Sequence, residues 1–415
     1  MKTKIFSAIV ALMALSLSLC AQNIDQKIPV RGLSIAAPSP RATDRFVTFI
    51  QEELVPAKIN LLILRVDWDY AYETHPELRD SNPLSKDDVA KIVKVCKDNG
   101  IRLVPQINLL GHQSWATQTH ALLRAYPQFD ETPEVDVANY SHWPNADGLY
   151  CKSYCPLHPD VHKIVFDVVD EICDVFEADA FHAGMDEVFY IGEDQCPRCK
   201  GKDKSVLFAD EVTLIHDHLA ESGRELMIWG DRLLDGRTTG LGEWEASYND
   251  TWRAVDLIPK DVLICDWHYH RPGLTAAYFA TKGLPVVSCG YNRAEPCVQQ
   301  IHDIITLRDH SSSPSSDRLQ GYVHTIWSSC DRFLQAYYGE SWGRGPRGGG
   351  QELNPAEAAR RDSLRRANAE RRQREQNANP NAERRQRRAD NGEIPRSDDA
   401  EALKVVLKEF REMAE

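Results

Sequence analysis

The 415-residue sequence predicts a single (β/α)8 TIM barrel, an α/β fold in which eight parallel strands alternate with helices around one core. Two observations lead to this fold class. Short apolar runs recur along the chain with helical patterns between them, and no glycine-rich phosphate loop follows the first run, which disfavours an open, doubly wound sheet. The predicted strands are residues 28–36, 59–66, 101–107, 178–181, 225–229, 262–267, 285–289 and 322–327.

Local patterns justify the individual elements in order. The run 59–66 is almost entirely aliphatic, as expected for a parallel strand buried on both faces. Residues 44–54 and 206–220 have the apolar spacing of helices. Ser85 precedes two acidic residues and an apolar stripe that stops at Asn99-Gly100, a pattern typical of a capped helix.

The two ends of the chain differ from the barrel, which is predicted over residues 28–340. Residues 1–21 form a predicted signal peptide, because Lys2 and Lys4 precede an apolar run of suitable length. We therefore expect export to the periplasm, the medium or the outer membrane. The alternative to simple cleavage of the signal peptide is that Cys20 carries a lipid, as in bacterial lipoproteins, and anchors the protein to a membrane.

Residues 341–397 form a low-complexity, Arg-rich insertion with few large apolar side chains. Such a composition cannot bury enough apolar surface to offset the entropy of ordering, so we predict a disordered or solvated segment rather than a polyanion site. Residues 398–415 regain amphipathic spacing and predict the helix that closes the barrel. The formal net charge of -13 argues against nucleic acid as a partner of the whole chain.

Polar and aromatic residues collect where the predicted strands end, which is where barrels carry their chemistry. These residues are Asp67, His112, Asp186, Glu187, Trp229, Asp231, Trp267, Tyr269, Tyr291 and Trp327. Asp186 and Glu187 are consecutive, and side chains alternate faces along a strand, so both reach one pocket only if the backbone bends. Gly184 permits such a bend. The alternative is a pair of solvated acids at the junction of a strand with a loop.

The motif His182-x-Gly184-x-Asp186-Glu187 resembles the active-site signature of glycoside hydrolase family 20, the β-N-acetylhexosaminidases. Residues 68–70, 75–79, 100–106, Gly111-His112 and 155–159 are similar to the hexosaminidase D branch. The resemblance covers residues 28–339. It implies an exo-acting enzyme that removes terminal GlcNAc or GalNAc from a glycan or glycoconjugate with retention and without a cofactor. The 2-acetamido oxygen of the substrate would then serve as nucleophile.

The resemblance also assigns roles to individual residues. Asp186 would orient the acetamido group, and Glu187 would act as general acid and base. Trp229, Trp267 and Trp327 are candidates for the wall of the sugar pocket, and Tyr269 or Tyr291 for the acetamido contact. Arg31 matches a family arginine that binds sugar hydroxyls, with a surface ion pair as the alternative. His112 and His182 match the motif and are either substrate contacts or structural histidines, and Asp67 and Asp231 are further candidates. Gln106, Asn108 and Ser329 stand where the commoner pattern has acids, which affects contacts to the 4- and 6-hydroxyls.

Two other functional classes remain open from the sequence. A barrel that binds amino-sugar glycans without cleaving them agrees with the missing acid at Ser329. A metal-dependent hydrolase has weaker support, from His216-x-His218 and His268-x-His270. Separately, Cys151, Cys155, Cys196 and Cys199 lie in predicted neighbouring loops, where they would bind a structural zinc ion, pair as disulfides or remain free thiols.

Overall fold

The computed structural model describes residues 24–115, 118–135, 137, 151–270, 273–339 and 399–415. The predicted signal peptide, Cys20 and the segment 341–397 lie outside the described residues. The chain divides into two compact units. Among the described residues, those up to 334 and those from 399 onward belong to the first, which contains the barrel, and residues 335–339 belong to the second.

Eight parallel strands form a closed barrel, which confirms the predicted fold class. Each strand pairs with its neighbours in sequence, and the last strand pairs with the first. The strands are β1 (Val30–Ala36), β2 (Leu61–Arg65), β3 (Arg102–Leu109), β4 (Ala180–Gly184), β5 (Glu225–Trp229), β6 (Leu263–Trp267), β7 (Val286–Gly290) and β8 (Leu319–Thr325). All eight predicted strands are therefore present, with ends that differ by a few residues.

Helices cover the outside of the barrel. The longer ones among the described residues are Thr43–Phe49, Lys86–Asp98, Val161–Val175, Lys204–Glu221, Thr275–Thr281, Ala294–His310, Cys330–Tyr338 and Asp399–Ala414. The predicted cap at Ser85 is confirmed, because its side chain accepts a hydrogen bond from the backbone of Asp88 and the Asp88 carboxylate accepts one in return. Short helical segments, Asp231–Leu233, Gly236–Thr239 and Thr251–Asp256, follow β5 instead of one long helix.

Alternate residues of the strands fill the barrel interior. One core cluster contains Leu61 and Ile63 of β2, Met227 and Trp229 of β5, and the corresponding residues of other strands. The period of two follows from the strand geometry, in which every second side chain points to the same face. Because Trp229 and Trp267 are the last residues of β5 and β6, the cluster ends in large indole rings directly below the barrel mouth.

The helix Asp399–Ala414 packs on the barrel as the sequence pattern indicates. Leu403, Val406, Leu407 and Phe410 are completely buried. The ring of Phe410 lies edge-on to Tyr322 of β8, with 6.3 Å between centroids. Arg411 at the far end of the helix pairs with Glu53 at 3.0 Å. The helix therefore connects the outside of β8 to the helical segment that follows β1.

No helix among the described residues combines the length and apolar character that a membrane crossing requires.

We predict that Phe410→Ala lowers the free energy of unfolding by about 3–5 kcal/mol, because it leaves a cavity between the helix and Tyr322. Lys408→Ala, on the exposed face of the same helix, is expected to change it by less than about 0.5 kcal/mol. Urea unfolding of both variants measures the difference. Equal stabilities would show that the helix does not support the barrel.

Candidate active site

A sharp backbone bend at the end of β4 brings two consecutive acids to the barrel mouth. Gly184, Met185 and Glu187 all have positive φ values, of 69°, 70° and 49°. A non-glycine residue in this region costs about 1–2 kcal/mol, so two of them in one short segment mark a backbone under strain. Because of this bend, the side chains of Asp186 and Glu187 do not alternate between opposite faces as they would along a regular strand. Both side chains therefore contact the same partner.

That partner is His112, which follows β3. Its Nε2 atom lies 3.1 Å from Asp186 Oδ2 and 3.2 Å from Glu187 Oε2. All three side chains are largely withdrawn from solvent. Burial acts to lower the pKa of His112, but the neighbouring Asp186 and Cys151 overcome that effect and raise the pKa well above its usual value. His112 is therefore a buried imidazolium that neutralises one negative charge of the pair.

The two acids have opposite pKa shifts. Burial acts to raise the pKa of Asp186, but the charge and hydrogen bond of His112 outweigh it and the pKa falls below its usual value. Burial also raises the pKa of Glu187; His112 opposes this, while the charges of Asp186 and Asp231 add to it, and the net shift is upward. The site therefore favours an ionised Asp186 beside a protonated Glu187.

One oxygen of Asp186 has no partner among the described residues. Oδ2 contacts His112, whereas Oδ1 is buried and accepts no hydrogen bond. A buried carboxylate oxygen without a donor is costly, and such atoms at a cavity mouth are commonly satisfied by a ligand. Asp186 Oδ1 is thus suited to accept a hydrogen bond from a bound N–H group.

Asp231 stabilises the position of the Glu187 backbone and of neighbouring side chains through three hydrogen bonds. Its carboxylate accepts hydrogen bonds from the backbone N–H of Glu187 at 3.0 Å, Trp267 Nε1 at 3.1 Å and Arg232 Nε at 2.7 Å. Arg232 in turn donates to backbone carbonyls of the loop that contains Ala246. Asp231 therefore positions Glu187 and the Trp267 ring, and its contact with substrate stays a prediction.

Aromatic rings line the mouth beside the acids. Trp229 is fully buried and its ring lies 5.7 Å from Trp327. Tyr269 lies 5.1 Å from Trp267 and 5.2 Å from Tyr291, and its hydroxyl accepts a hydrogen bond from Trp327 Nε1 at 2.8 Å. The three predicted tryptophans and both candidate tyrosines thus come together in one wall.

His182 lies inside the barrel below the paired acids, whereas Asp67 lies just beyond the end of β2. His182 is buried in the barrel against Trp229, with 4.6 Å between ring centroids, and its Nδ1 accepts a hydrogen bond from the Gly184 backbone. It supports the bend from inside rather than lining the mouth. Asp67 follows β2 and accepts a hydrogen bond from the backbone of Asn108 at 2.9 Å.

Arg31 does not reach this site, which corrects the sequence expectation. It is the second residue of β1 and lies near the opposite end of the barrel. Its guanidinium donates to the carbonyls of Ile28 and Lys58 and pairs with Asp25 at 2.7 Å. Five residues separate it from the end of β1, a distance of about 16 Å along a strand, so the side chain cannot contact a sugar at the mouth.

Arg65 is an arginine at the mouth that the sequence reasoning missed. It ends β2, its guanidinium lies 4.3 Å from the centre of the Trp327 ring, and its Nη2 donates to the carbonyl of Ile326. Burial lowers the pKa of Arg65, and Asp67, Tyr269 and Asp186 act in the opposite direction. The available signal was a single basic residue at the end of an aliphatic strand.

Cys151 also belongs to the mouth, separate from the other three loop cysteines. Its Sγ atom lies 3.5 Å from His112 Nδ1 and 3.6 Å from Glu187 Oε2. Burial raises the pKa of the Cys151 thiol to about 12, so it is a neutral donor toward Glu187. The prediction that four cysteines form one zinc site is therefore wrong for Cys151, because its side chain points to the acids and away from the other three thiols.

The departures from the commoner family pattern have structural consequences. Gln106 is buried and donates from Nε2 to Asn108 Oδ1 at 3.3 Å, so the two residues bind each other. Ser329 is exposed at the end of the loop after β8, directly before the helix Cys330–Tyr338. Neither Gln106 nor Ser329 supplies a carboxylate to the mouth. Arg65 and Asp67 are charged groups on that side, and the Asp399 carboxylate accepts a hydrogen bond from Ser328 at 3.0 Å.

The histidine pairs considered as metal ligands do not converge. His216 lies 3.1 Å from Asp261, and His218 lies 3.1 Å from Asp170, on a helix outside the barrel. His268 pairs with Glu245 at 2.9 Å. None of these three histidines belongs to a group of three potential ligands within the described part of the chain.

A cavity of about 590 Å³ lies to one side of the mouth. It is lined by residues that follow β5 and β6, among them Trp252, Leu274 and Tyr278. Neither Asp186 nor Glu187 contributes to its wall. The candidate active site is therefore defined by the paired acids and their aromatic neighbours.

Paired acids and aromatic rings at the carboxyl end of a closed (β/α)8 barrel suit the hydrolysis of glycosidic bonds, which typically uses two carboxyl groups. The model of the glycosyl hydrolase family 20 catalytic domain matches residues 68–294, more than half of the chain. The chain therefore belongs to glycoside hydrolase family 20, as the sequence resemblance predicted.

Individual relatives agree with this assignment. A beta-hexosaminidase of Akkermansia muciniphila is 29% identical over 127 residues, which cover 31% of this chain and 24% of that protein. Hexosaminidase D of Bos taurus is 21% identical over 296 residues, 66% of this chain and 77% of that protein. The chain spans about a quarter of the length of the Akkermansia relative and 40% of the length of a beta-hexosaminidase of Emericella nidulans.

A solved structure shares the fold. The chitobiase of Flavobacterium johnsoniae superposes with a TM-score of 0.51 at 20% identity, covering 72% of this chain and 44% of that one.

We predict that Gly184→Ala destabilises the protein more than Gly223→Ala, although both glycines have φ near 70°. A Cβ at position 184 would lie 2.4 Å from Asn108 Oδ1, whereas one at 223 would meet no atom within 4 Å. The control should lose about 1–2 kcal/mol from its backbone conformation, and Gly184→Ala a further 1–3 kcal/mol, roughly, from overpacking. Urea unfolding tests this, and equal losses would contradict the packing described for β4.

Proposed function

We propose that this chain is an exo-acting β-N-acetylhexosaminidase that releases terminal GlcNAc or GalNAc with retention of configuration. The observation that supports the proposal is the unpartnered Oδ1 of Asp186, whose pKa is lowered, next to Glu187, whose pKa is raised. A 2-acetamido sugar presents an N–H group and a glycosidic oxygen on neighbouring carbons. One adjacent pair of acids can therefore bind both groups at the same time.

In the first step the acetamido oxygen attacks the anomeric carbon as the bond to the leaving oxygen breaks. Glu187 transfers its proton to that oxygen, and the sugar becomes an oxazolinium ion. In the second step Glu187, now a carboxylate, takes a proton from water as the water oxygen attacks the same carbon. The acetamido group is restored and Glu187 is again protonated.

The proposed role of Asp186 follows from its charge. Its free oxygen would accept the acetamido N–H, orient the carbonyl oxygen toward the anomeric carbon and stabilise the positive charge that develops on the amide. The His112 imidazolium keeps Asp186 ionised in a buried setting. No cofactor takes part in either step.

The aromatic wall would bind the rest of the sugar. The faces of Trp267 and Trp327 and the body of Tyr269 suit the apolar face of a pyranose and the acetamido methyl group. We assign the tyrosine contact to the acetamido oxygen to Tyr269, because its hydroxyl is held by Trp327 at the mouth. Arg65 and Asp67 are the candidates for hydroxyl contacts. The names of the family relatives, beta-hexosaminidase and hexosaminidase D, support this substrate class.

A barrel that binds amino-sugar glycans without cleaving them is the second candidate, favoured by the exposed Ser329 where relatives of the commoner pattern have an acid. Release of nitrophenol from nitrophenyl N-acetyl-β-glucosaminide and galactosaminide distinguishes the two. Cleavage of either supports an enzyme. Cleavage of the matching β-glucoside at a similar rate would contradict participation of the acetamido group.

We also propose that the protein acts outside the cytoplasm on glycans or glycoconjugates. The basic residues Lys2 and Lys4 and the apolar run after them support export, and Cys20 supports a lipid anchor as one form of it. Mass spectrometry of the mature N-terminus from a native host distinguishes cleavage near Ala21 from lipidation.

We predict that Glu187→Gln lowers kcat on a β-N-acetylhexosaminide with a sugar leaving group by about 10²–10⁴-fold, because the amide cannot donate a proton. The loss should be smaller on a nitrophenyl substrate, whose leaving group needs little protonation. Glu221→Gln, an exposed change at a distant helix end, is the control and should retain full activity. Equal activity of Glu187→Gln and wild type on both substrates would remove Glu187 from the reaction.

The pKa directions also predict the pH dependence of kcat/KM. Activity should rise with pH as Asp186 ionises, below the usual range of an aspartate, and fall as Glu187 loses its proton, above the usual range of a glutamate. The nitrophenyl substrate allows the profile to be measured for Glu187→Gln, in which the fall at higher pH should disappear. An unchanged fall in that variant would assign it to another group.

A further inference from the structure

Four buried side chains form a cluster that the catalytic mechanism does not use. Glu131 and Cys155 lie in the segment after β3, and Cys196 and Cys199 in the loop after β4. Each is at most 2% exposed, and their potential ligand atoms all lie within 4.8 Å of one another. We propose that these residues form a structural zinc site that joins the two loops.

The spacing of the sulfur atoms fits a tetrahedral metal site. Cys155 Sγ lies 3.5 Å from both Cys196 Sγ and Cys199 Sγ. Zinc–sulfur bonds of about 2.3 Å in a tetrahedron place two sulfur atoms about 3.8 Å apart. The thiols are therefore already close to the required separation. Cys196-Pro-Arg-Cys199 also has the two-residue spacing typical of zinc-binding turns.

Glu131 supplies the fourth ligand. Its Oε1 accepts a hydrogen bond from the Glu193 backbone at 3.2 Å, and the carboxylate also interacts with the thiols of Cys196 and Cys199. Thiols are weak donors, so a cation would stabilise a carboxylate buried among them more strongly. Zinc accepts carboxylate oxygen as well as thiolate, so one ion would satisfy all four groups.

A disulfide explains the cluster less well. All ten cysteines among the described residues are free in the structure. One disulfide within the cluster would use two of the three thiols and leave one buried thiol beside the buried carboxylate of Glu131. Zinc uses all of them, and the odd number of cysteines therefore favours the metal.

The site would stabilise the loop that carries Cys151. Cys151 is four residues before Cys155, and its Sγ lies 3.6 Å from Glu187 Oε2. The N–H of Cys155 donates a hydrogen bond to the carbonyl of Phe129 at 2.6 Å, which joins the segment that contains Cys155 to the segment that contains Glu131. An ion held by Cys155 and Glu131 would thus anchor the wall of the catalytic site without contacting substrate.

The test is the metal content of the full-length protein, purified without chelators after expression with added zinc. We expect one zinc ion per chain by elemental analysis, and loss of that zinc in Cys196→Ser and Glu131→Ala. Cys173→Ser is the matched control, because Cys173 is equally buried on a helix outside the cluster, and it should retain the zinc. Chelator should lower the melting temperature of the wild type and of the control.

Substitution with cobalt keeps the proposal testable if the variants fail to fold. Cobalt in a tetrahedral site with three thiolates gives intense visible absorption, which we expect for the wild-type chain at one equivalent. Zinc content well below one equivalent, no such absorption, or a disulfide from Cys155 to Cys196 or Cys199 in non-reduced peptide maps would overturn the proposal.

Discussion

The shared contact of Asp186 and Glu187 with one buried imidazolium is the interaction on which the site depends. Two carboxylates on consecutive residues would repel each other in a buried pocket, and burial alone would protonate both. His112 lies within 3.2 Å of each and stabilises the ionised form of Asp186. His112 acts to lower the pKa of both acids, and at Glu187 burial and the charges of Asp186 and Asp231 outweigh it, so that the pKa of Glu187 rises. The two chemically similar neighbours therefore have opposite pKa shifts.

The barrel supplies the geometry that makes this contact available. The strained turn after β4 directs both acids to the mouth. Hydrogen bonds from the surrounding structure hold the turn, because its backbone conformation is intrinsically unfavourable. Asp231 after β5 fixes the Glu187 backbone, and His182 inside the barrel fixes Gly184. Strain of this kind persists only where the surrounding structure determines it completely. The parallel order of the strands places His112 and Asp231 on one rim, and His182 lies below them inside the barrel.

The fold could be predicted because the strand signal is repeated eight times and each repeat is nearly unbroken. The position of Asp186 and Glu187 followed from their place at a strand end. Arg31 was misplaced because a two-residue match does not specify the level of a side chain along its strand. Arg65 was overlooked because the sequence around it does not show its neighbours. Trp327 and Asp186 come close to Arg65 only when β2, β4 and β8 assemble into the barrel.

The cysteines show a similar limit. Sequence spacing grouped Cys151 with Cys155, Cys196 and Cys199, yet four residues of chain are enough to turn one thiol toward the catalytic acids. Glu131 carried no signal in the sequence, because an isolated glutamate in a loop is ordinarily solvated. Its burial beside three thiols is a product of tertiary structure, and it changes the predicted ligand set.

A crystal structure of the Glu187→Gln variant with a bound β-N-acetylhexosaminide tests the roles of Asp186 and Glu187 most directly. We expect the acetamido N–H within hydrogen-bond distance of Asp186 Oδ1, the glycosidic oxygen beside the side chain at position 187, and the sugar against Trp267 and Trp327. A sugar bound away from Asp186, or an Asp186 side chain turned to bulk solvent, would contradict it.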